Sequence, residues 1–178
     1  EGLVAYYPFN GNAKDESGNG NDGEVKEATI TTDRHGNSNS AYNFDGKDDY
    51  IGIKDADSLR PDYITISVWF KSPSGSPLIT KSELTRGKRH PRYEQFTFGG
   101  EFHVKRESKG QPYLGWQSSG AVPASGVAAW EHRVGLWDGR KVKLYVNGKL
   151  AASKDGLAGP MDNLLGGNLN FGVGWDLD

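Results

Sequence analysis

Apolar residues in this chain recur at alternate positions, in short runs, from one end to the other. Leu3–Phe9, Ala41–Phe44, Tyr50–Ile53, Tyr63–Phe70, Leu78–Thr80, Tyr93–Phe98, Phe102–Lys105, Trp130–Trp137, Val142–Val146 and Leu169–Trp175 all carry the period-2 signature of β-strands. Between them stand chain-reversing pairs: Asn10-Gly11, Asp45-Gly46, Ser74-Gly75, Gly99-Gly100, Asp138-Gly139 and Asn147-Gly148. Only Ala158–Leu165 fits a helical turn, and Pro160 with Gly166-Gly167 keeps it short. Strand signals at this density predict an all-β fold, an antiparallel β-sandwich or jelly roll.

Two runs can be read residue by residue. Val142, Leu144 and Val146 alternate with Lys143 and Tyr145, Asn147-Gly148 supplies two positive-φ positions, and Lys149–Ser153 returns. That is a type I′ hairpin. In Ile64–Phe70, Ile64, Ile66, Val68 and Phe70 share one face and Thr65, Ser67 and Trp69 the other. A strand apolar on one side and mixed on the other suits a sheet packed inside and partly covered outside.

Composition narrows the function classes. The 178 residues predict one domain spanning 1–178, with 5 Trp, 8 Tyr and 7 Phe to build a core. The absence of Cys excludes a disulfide scaffold, a Cys-ligated zinc and a thiol nucleophile. No apolar run approaches the ~18 residues a membrane span needs. Glu1-Gly2-Leu3 has no basic stretch before an apolar run, so a signal peptide is expected to be already removed. Residues 1–62 carry 13 acids against 6 Lys/Arg, whereas residues 81–109 carry 8 Lys/Arg against 4 acids. The basic stretch has no RRM, KH or helix-turn-helix pattern and the net charge is −2, which argues against nucleic acid.

With these segments placed, four passages in order resemble the laminin-G-like domains of the concanavalin A-like lectin/glucanase superfamily. They are Gly2–Asp15 continuing through Ser17-Gly18-Asn19-Gly20, Asn43-Phe44-Asp45-Gly46 with Asp49-Tyr50-Ile51, Ile64–Lys71, and Trp130-Glu131-His132 followed by Trp137-Asp138-Gly139 and Leu144–Lys149. The resemblance implies a jelly roll of two curved antiparallel sheets. It puts Trp69 and Trp130 in core positions, gives Trp137 a packing role and makes His132 structural. Such domains usually finish with a Gly-x-Ile-Asp-x-Val-Arg-Ile-Tyr-like strand. The chain reaches Asp178 without one, so that strand is expected beyond Asp178, or the sheet is completed differently.

The superfamily includes glycoside hydrolases, which need two carboxyl groups flanking the scissile bond. Their Glu-x-Asp-x-x-Glu strand pattern is missing: Glu101 and Glu107 are six apart, Asp48 and Asp49 adjacent, Asp55 and Asp57 in a turn-like stretch. Gly-x-Ser-x-Gly and His-Glu-x-x-His are missing too, and His35, His90 and His103 read as exposed or loop residues. No catalytic residue is assigned.

Asn10–Asp22 concentrates oxygen donors on a Gly-bent backbone, as calcium requires. Asp15 is the leading ligand, with Asn10, Asn12, Ser17 and Asn19; Asp45, Asp48 and Asp49 form a second cluster. Laminin-G-like domains often hold a structural calcium, so the resemblance points the same way. The alternative is a loop whose Asn and Asp side chains serve tight turns. For sugar, Trp116 and Trp175 have Gly neighbours that would leave a ring face open, and Tyr93, Arg89 and Arg92 would recognise an acidic or sulfated sugar bidentately. The expected function is a non-catalytic, extracellular carbohydrate-binding or adhesion module, calcium-stabilised and joined to other domains of a secreted or surface protein. The competing readings are a module binding extracellular protein or spacing domains, and a polysaccharide-degrading enzyme.

Overall fold

The computed structural model describes residues 2–72, 79–82, 94–105, 116–123, 129–156, 158–162 and 167–172. Thirteen strands are described: β1 (Gly23–Lys26), β2 (Thr29–Thr31), β3 (Ala41–Asn43), β4 (Tyr50–Ile53), β5 (Ile64–Phe70), β6 (Ile79–Ser82), β7 (Glu94–Phe98), β8 (Phe102–Lys105), β9 (Trp116–Ser118), β10 (Glu131–Trp137), β11 (Lys141–Val146), β12 (Lys149–Asp155) and β13 (Asn168–Phe171). A seven-stranded sheet, β1-β4-β13-β6-β7-β8-β9, faces a four-stranded sheet, β12-β11-β10-β5, and β2-β3 forms a separate ribbon. The pairings are antiparallel throughout, as the alternation predicts. Among the described residues no helix is long and apolar enough to cross a membrane.

Alternation decides which side chains enter the core. Ile51, Ile53, Ile79, Phe96, Phe98, Phe102, Val104 and Leu169 come from the larger sheet, and Trp137, Val142 and Leu144 from the smaller. Gly135 of β10 lets the sheets approach: a Cβ there would lie 2.8 Å from Phe102 Cγ and 3.0 Å from Phe98 Cε2. Asn147 (φ 48°) and Gly148 (φ 78°) turn the β11–β12 hairpin in the predicted type I′ form, closing Val146 onto Lys149.

Four expectations are corrected. Leu3–Phe9 is not a strand: side chains of the following loop take up its backbone groups. Tyr6 N–H donates to Asp15, and the Val4 carbonyl accepts from Ser17, Asn19 and Asn21. β13 ends at Phe171, where Gly172 adopts φ +87° with Phe44 packed where a Cβ would stand; 173–175 of the expected Leu169–Trp175 strand lie outside the described residues. Among the described residues the only helical turn is Asp57–Leu59; the described part of 158–165 has none. Finally, Trp69 is no core residue: it is 44% exposed on the outer face of β5, where the period-2 pattern itself puts it. Trp137 is buried as expected, and Trp130 is half-buried.

Candidate functional site

Strand register lines up one residue from each strand of the larger sheet: Glu24, Gly52, Asn170, Thr80, Thr97, His103 and Ser118. Their sequence neighbours Ile51, Ile53, Leu169, Ile79, Phe96, Phe98, Phe102 and Val104 fill the core. The line therefore runs along the face turned away from it, and Gln95, two residues before Thr97, shares that face. Its middle is polar and buried: Gln95 is 0% exposed, Asn170 1%, Thr80 and Thr97 6% each.

Among the described residues, five buried side-chain polar atoms lack a hydrogen-bond partner, and four belong to this row: Thr80 Oγ1, Gln95 Nε2 and Oε1, and Asn170 Oδ1. A buried polar group left unmade costs about 1–3 kcal/mol. Concentrating several in one place is therefore a departure from ordinary packing. Gly52 brings the backbone of β4 close to Asn170: a Cβ there would lie 3.6 Å from Asn170 Oδ1 and 3.2 Å from the Tyr50 ring. The row offers acceptors and donors, with no charge at its centre.

At one end Ser118 Oγ donates to Glu101 Oε2 at 2.6 Å, and His103 Nε2 lies 2.5 Å from the same oxygen. The Ser118 hydroxyl and then His103 hold the Glu101 carboxyl below its ordinary pKa, against the opposing push of burial. His103 is thus half-buried on β8 and hydrogen-bonded, not the exposed loop residue expected from sequence. Ser, His and Glu meet in an order unsuited to nucleophilic catalysis, because the hydroxyl donates to the carboxylate and not to the imidazole.

The Asp15 loop is drawn together, but around the polypeptide. Asp15 Oδ1 accepts from Tyr6 N–H and Ser17 N–H at 2.9 Å each, and Oδ2 from Ser17 Oγ at 2.8 Å and Asn21 N–H at 3.0 Å. Burial raises the Asp15 pKa, yet these donors outweigh it and hold the carboxyl below its ordinary value. Asn19 Nδ2 donates to the Leu3 and Val4 carbonyls, Asn12 Oδ1 accepts from Lys14 N–H, and the Asn10 carbonyl accepts from Asn12 Nδ2. Four donors aimed at one carboxylate leave no room for a cation, so this donor set does not fit calcium. The second cluster, Asp45, Asp48 and Asp49, brings carboxylate oxygens within 4.8 Å of one another in the turn before β4, with Asp49 Oδ2 accepting from Asp45 N–H at 2.9 Å and Asp45 Oδ1 from Lys47 N–H at 2.8 Å.

Of the residues expected to touch sugar, Tyr93, Arg89, Arg92 and Trp175 lie outside the described residues, as does the side chain of Trp116, whose backbone opens β9 opposite Lys105. Sequence reasoning missed the row itself. The Thr and Asn of Ile-Thr-Lys-Ser, Phe-Thr-Phe and Leu-Asn-Phe read as ordinary outward positions until register aligns them. It also missed the surroundings of Trp69. The Trp69 ring stacks on His132 at 4.9 Å and 19°, and Arg34 Cζ sits 4.4 Å from its centroid. The expected structural bond of His132 is present, to Ser67 Oγ at 2.8 Å.

Comparison with known proteins agrees with this architecture. No curated protein sequence matches the chain. Among solved structures, the chain is similar to the receptor binding domain of botulinum neurotoxin D (TM-score 0.58, 17% identity, 90% of this chain and 41% of that one). It is also similar to the binding domain of paraclostridial mosquitocidal protein 1 (0.54, 18%, 90% and 41%). A third is domain 4 of AbnA, an extracellular arabinanase from Geobacillus stearothermophilus, in complex with arabinotriose (0.52, 18%, 97% and 84%). The chain thus spans about two fifths of the toxin chains, and at these identities the likeness is one of fold. The laminin G family model described as concanavalin A-like lectin/glucanases matches residues 45–178. With two antiparallel sheets around one core and three quarters of its length matched, the chain belongs to the concanavalin A-like lectin/glucanase superfamily.

Proposed function

We propose that this chain is a non-catalytic carbohydrate-binding module that works outside the cell, joined to other domains of a larger protein. The observation that carries the reading is the polar row, with four buried donor and acceptor atoms unpaired around Thr80, Gln95 and Asn170. Saccharide hydroxyls both donate and accept, so a sugar given access to these buried amide and hydroxyl groups would recover the bonds that packing leaves unmade. The arabinotriose complex of the arabinanase domain supports the ligand class, and its extracellular setting supports the location. Along the row itself, the two described carboxylates stand too far apart to act as a glycosidase pair. Glu24 lies on β1 and Glu101 just before β8, five strand places apart, about 24 Å along the sheet at the usual ~4.8 Å spacing. Glycosidases set their pair roughly 5–9.5 Å apart.

Isothermal titration against neutral oligosaccharides, arabinan fragments included, tests the row. Thr80→Val and Gln95→Met each replace an orphaned polar group with an apolar one of similar shape. Each is expected to weaken sugar binding about tenfold or more while leaving thermal stability equal or higher. Lower stability with unchanged binding would return the row to a structural role.

Calcium is proposed at Asp45, Asp48 and Asp49, where it would neutralise three crowded carboxylates and brace the turn into β4. Calcium at a hundred times its dissociation constant is then expected to raise the melting temperature by about 5–10 °C. Asp48→Asn should abolish that rise. Asp15→Asn should lower stability equally with calcium or with chelator, since its carboxylate serves the polypeptide; a rise lost only in Asp15→Asn would restore the first loop as the site.

A further inference from the structure

Among the described residues, nothing pairs with one edge of β5, the last strand of the four-stranded sheet. The Asn147 N–H donates to the His132 carbonyl at 2.8 Å, so the even-numbered residues of β10 turn to β11 and the odd-numbered ones to β5. Ile64, Ile66, Val68 and Phe70 therefore bond to β10, and the backbone groups of Thr65, Ser67 and Trp69 point along the open edge, where no described residue bonds them. Edge strands usually carry a defence against further pairing. β12 has a bulge in its pairing with β11 and two lysines, Lys149 and Lys154, while β1 and β9 are only four and three residues long. β5 runs for seven residues, Ile-Thr-Ile-Ser-Val-Trp-Phe, without charge, proline or bulge. The core is unfinished beside it: inward-facing Ile64, Ile66 and Val68 are half-buried, whereas Arg133, Gly135 and Trp137 of β10 and Val142 and Leu144 of β11 are buried.

Leu3–Phe9 forms a second open wall. The Asp15 loop takes up the backbone groups of Val4 and Tyr6, but no described residue bonds those of Ala5 and Tyr7, which alternation turns away from that loop. Val4, Ala5, Tyr7 and Phe9 pack on the core, with the Tyr7 and Phe9 rings 5.1 and 6.2 Å from Phe171 of β13. β10 lies over β7 and β8, where Gly135 meets Phe98 and Phe102, and β13 is two strands on from β7 and three from β8. β5 fills the first of those places in the smaller sheet. Leu3–Phe9 does not bond β5, so a slot one strand wide, about 4.8 Å from each wall, separates them. Neither wall carries a charged residue. We infer that the slot takes one extended segment of the same polypeptide from outside residues 1–178, uncharged and apolar at alternate positions. It would bond Thr65, Ser67 and Trp69 on one side and Ala5 and Tyr7 on the other, and close the core over Ile64, Ile66 and Val68. A second copy does not fit, because its β5 would bring β10 alongside. A covalently joined segment reaches the slot at high effective concentration, as lasting cover for core side chains requires. The inference rests on the reading of this chain as part of a larger protein and is independent of sugar binding.

Hydrogen exchange of the 178-residue chain, alone and with synthetic peptides, tests it. The probe is Lys-Thr-Ile-Thr-Val-Thr-Ile-Thr-Lys, and the control Lys-Thr-Thr-Ile-Val-Ile-Thr-Thr-Lys keeps its composition without the alternation. The amides of Thr65, Ser67 and Trp69 should exchange fast in the free chain, and the probe should slow them, with those of Ala5 and Tyr7, about tenfold or more. It should also bind about tenfold more tightly than the control and raise the melting temperature. Thr65→Pro removes one donor from the open edge, where proline is tolerated, and should weaken the probe about tenfold while leaving the β5–β10 pairing intact. If that variant does not fold, the wild-type exchange comparison decides alone. Slow exchange of Thr65, Ser67 and Trp69 in the free chain would overturn the inference, as would equal binding of probe and control or protection confined to other strands. Dimerisation that slows the same amides would make a second copy the occupant and overturn it likewise. No sugar enters these measurements, so their failure leaves the carbohydrate reading standing, and a failed oligosaccharide titration leaves the slot standing.

Discussion

Arg133→Ala is expected to cost about 3–5 kcal/mol, enough to lower the melting temperature by roughly 10 °C or more. The guanidinium is fully buried between the sheets. Its Nε donates to Glu131 Oε1 at 2.5 Å, Nη1 to the Gly99 carbonyl at 2.6 Å and Nη2 to the Pro123 carbonyl at 3.2 Å, and its Cζ lies 5.4 Å from the Phe70 ring. One side chain thus ties β10 to the turn between β7 and β8 and to the segment after β9. Truncation would leave Glu131, only 6% exposed, as a buried charge without its partner and would orphan two carbonyls. Breaking such a pair is costly even where the pair itself adds little over an apolar replacement. The double variant Arg133→Met with Glu131→Leu should therefore recover much of the loss. Urea denaturation measures both, and an Arg133→Ala cost below about 1 kcal/mol would show that this cross-tie is unimportant.

Gly135→Val is the second large effect. Valine suits a strand backbone, so any loss comes from space alone. The added Cβ would stand 2.8 Å from Phe102 Cγ and 3.0 Å from Phe98 Cε2. These rings form an edge-to-face pair at 5.5 Å and 84°, both fully buried, and have nowhere to retreat. Overpacking of this kind costs about 1–3 kcal/mol for a methylene or two, and the two methyl groups of valine should bring it to the top of that range or past it. Phe102→Leu should destabilise the wild type yet be neutral or helpful in the Gly135→Val background. That sign reversal, read from a double-mutant cycle, is the specific signature of ring against glycine. Additive losses would place the damage elsewhere.

Most strands were legible before any coordinates, for a plain reason. A two-sheet sandwich buries one face of each strand, so alternation is written into Tyr50–Ile53, Ile64–Phe70, Phe102–Lys105 and Val142–Val146 themselves. The Asn147-Gly148 turn was equally legible, because two consecutive positive φ angles admit few residue types. Leu3–Phe9 shows the limit. Its alternation is real, but its backbone bonds go to Asp15, Ser17, Asn19 and Asn21, and side chains that compete for backbone groups leave no period in a sequence. Trp69 shows the reverse: periodicity put it outside, family likeness put it inside, and the local physical signal was the better guide.

The polar row and the Trp69 stack could not be read this way. Each is assembled from strands far apart in the chain, Asn170 beside Thr80 beside Thr97, and Arg34 beside Trp69 beside His132. Residue type and spacing determined that this chain is an antiparallel sandwich with an Asn/Asp-rich loop and an acidic turn, since alternation, turn chemistry and the absence of Cys act within a few residues. Which polar atoms go unpaired, whether Asp15 faces solvent or the polypeptide, and where the arginine comes to rest were decided by tertiary structure. Strand order and register bring distant groups within hydrogen-bonding distance, and no short-range pattern encodes that choice.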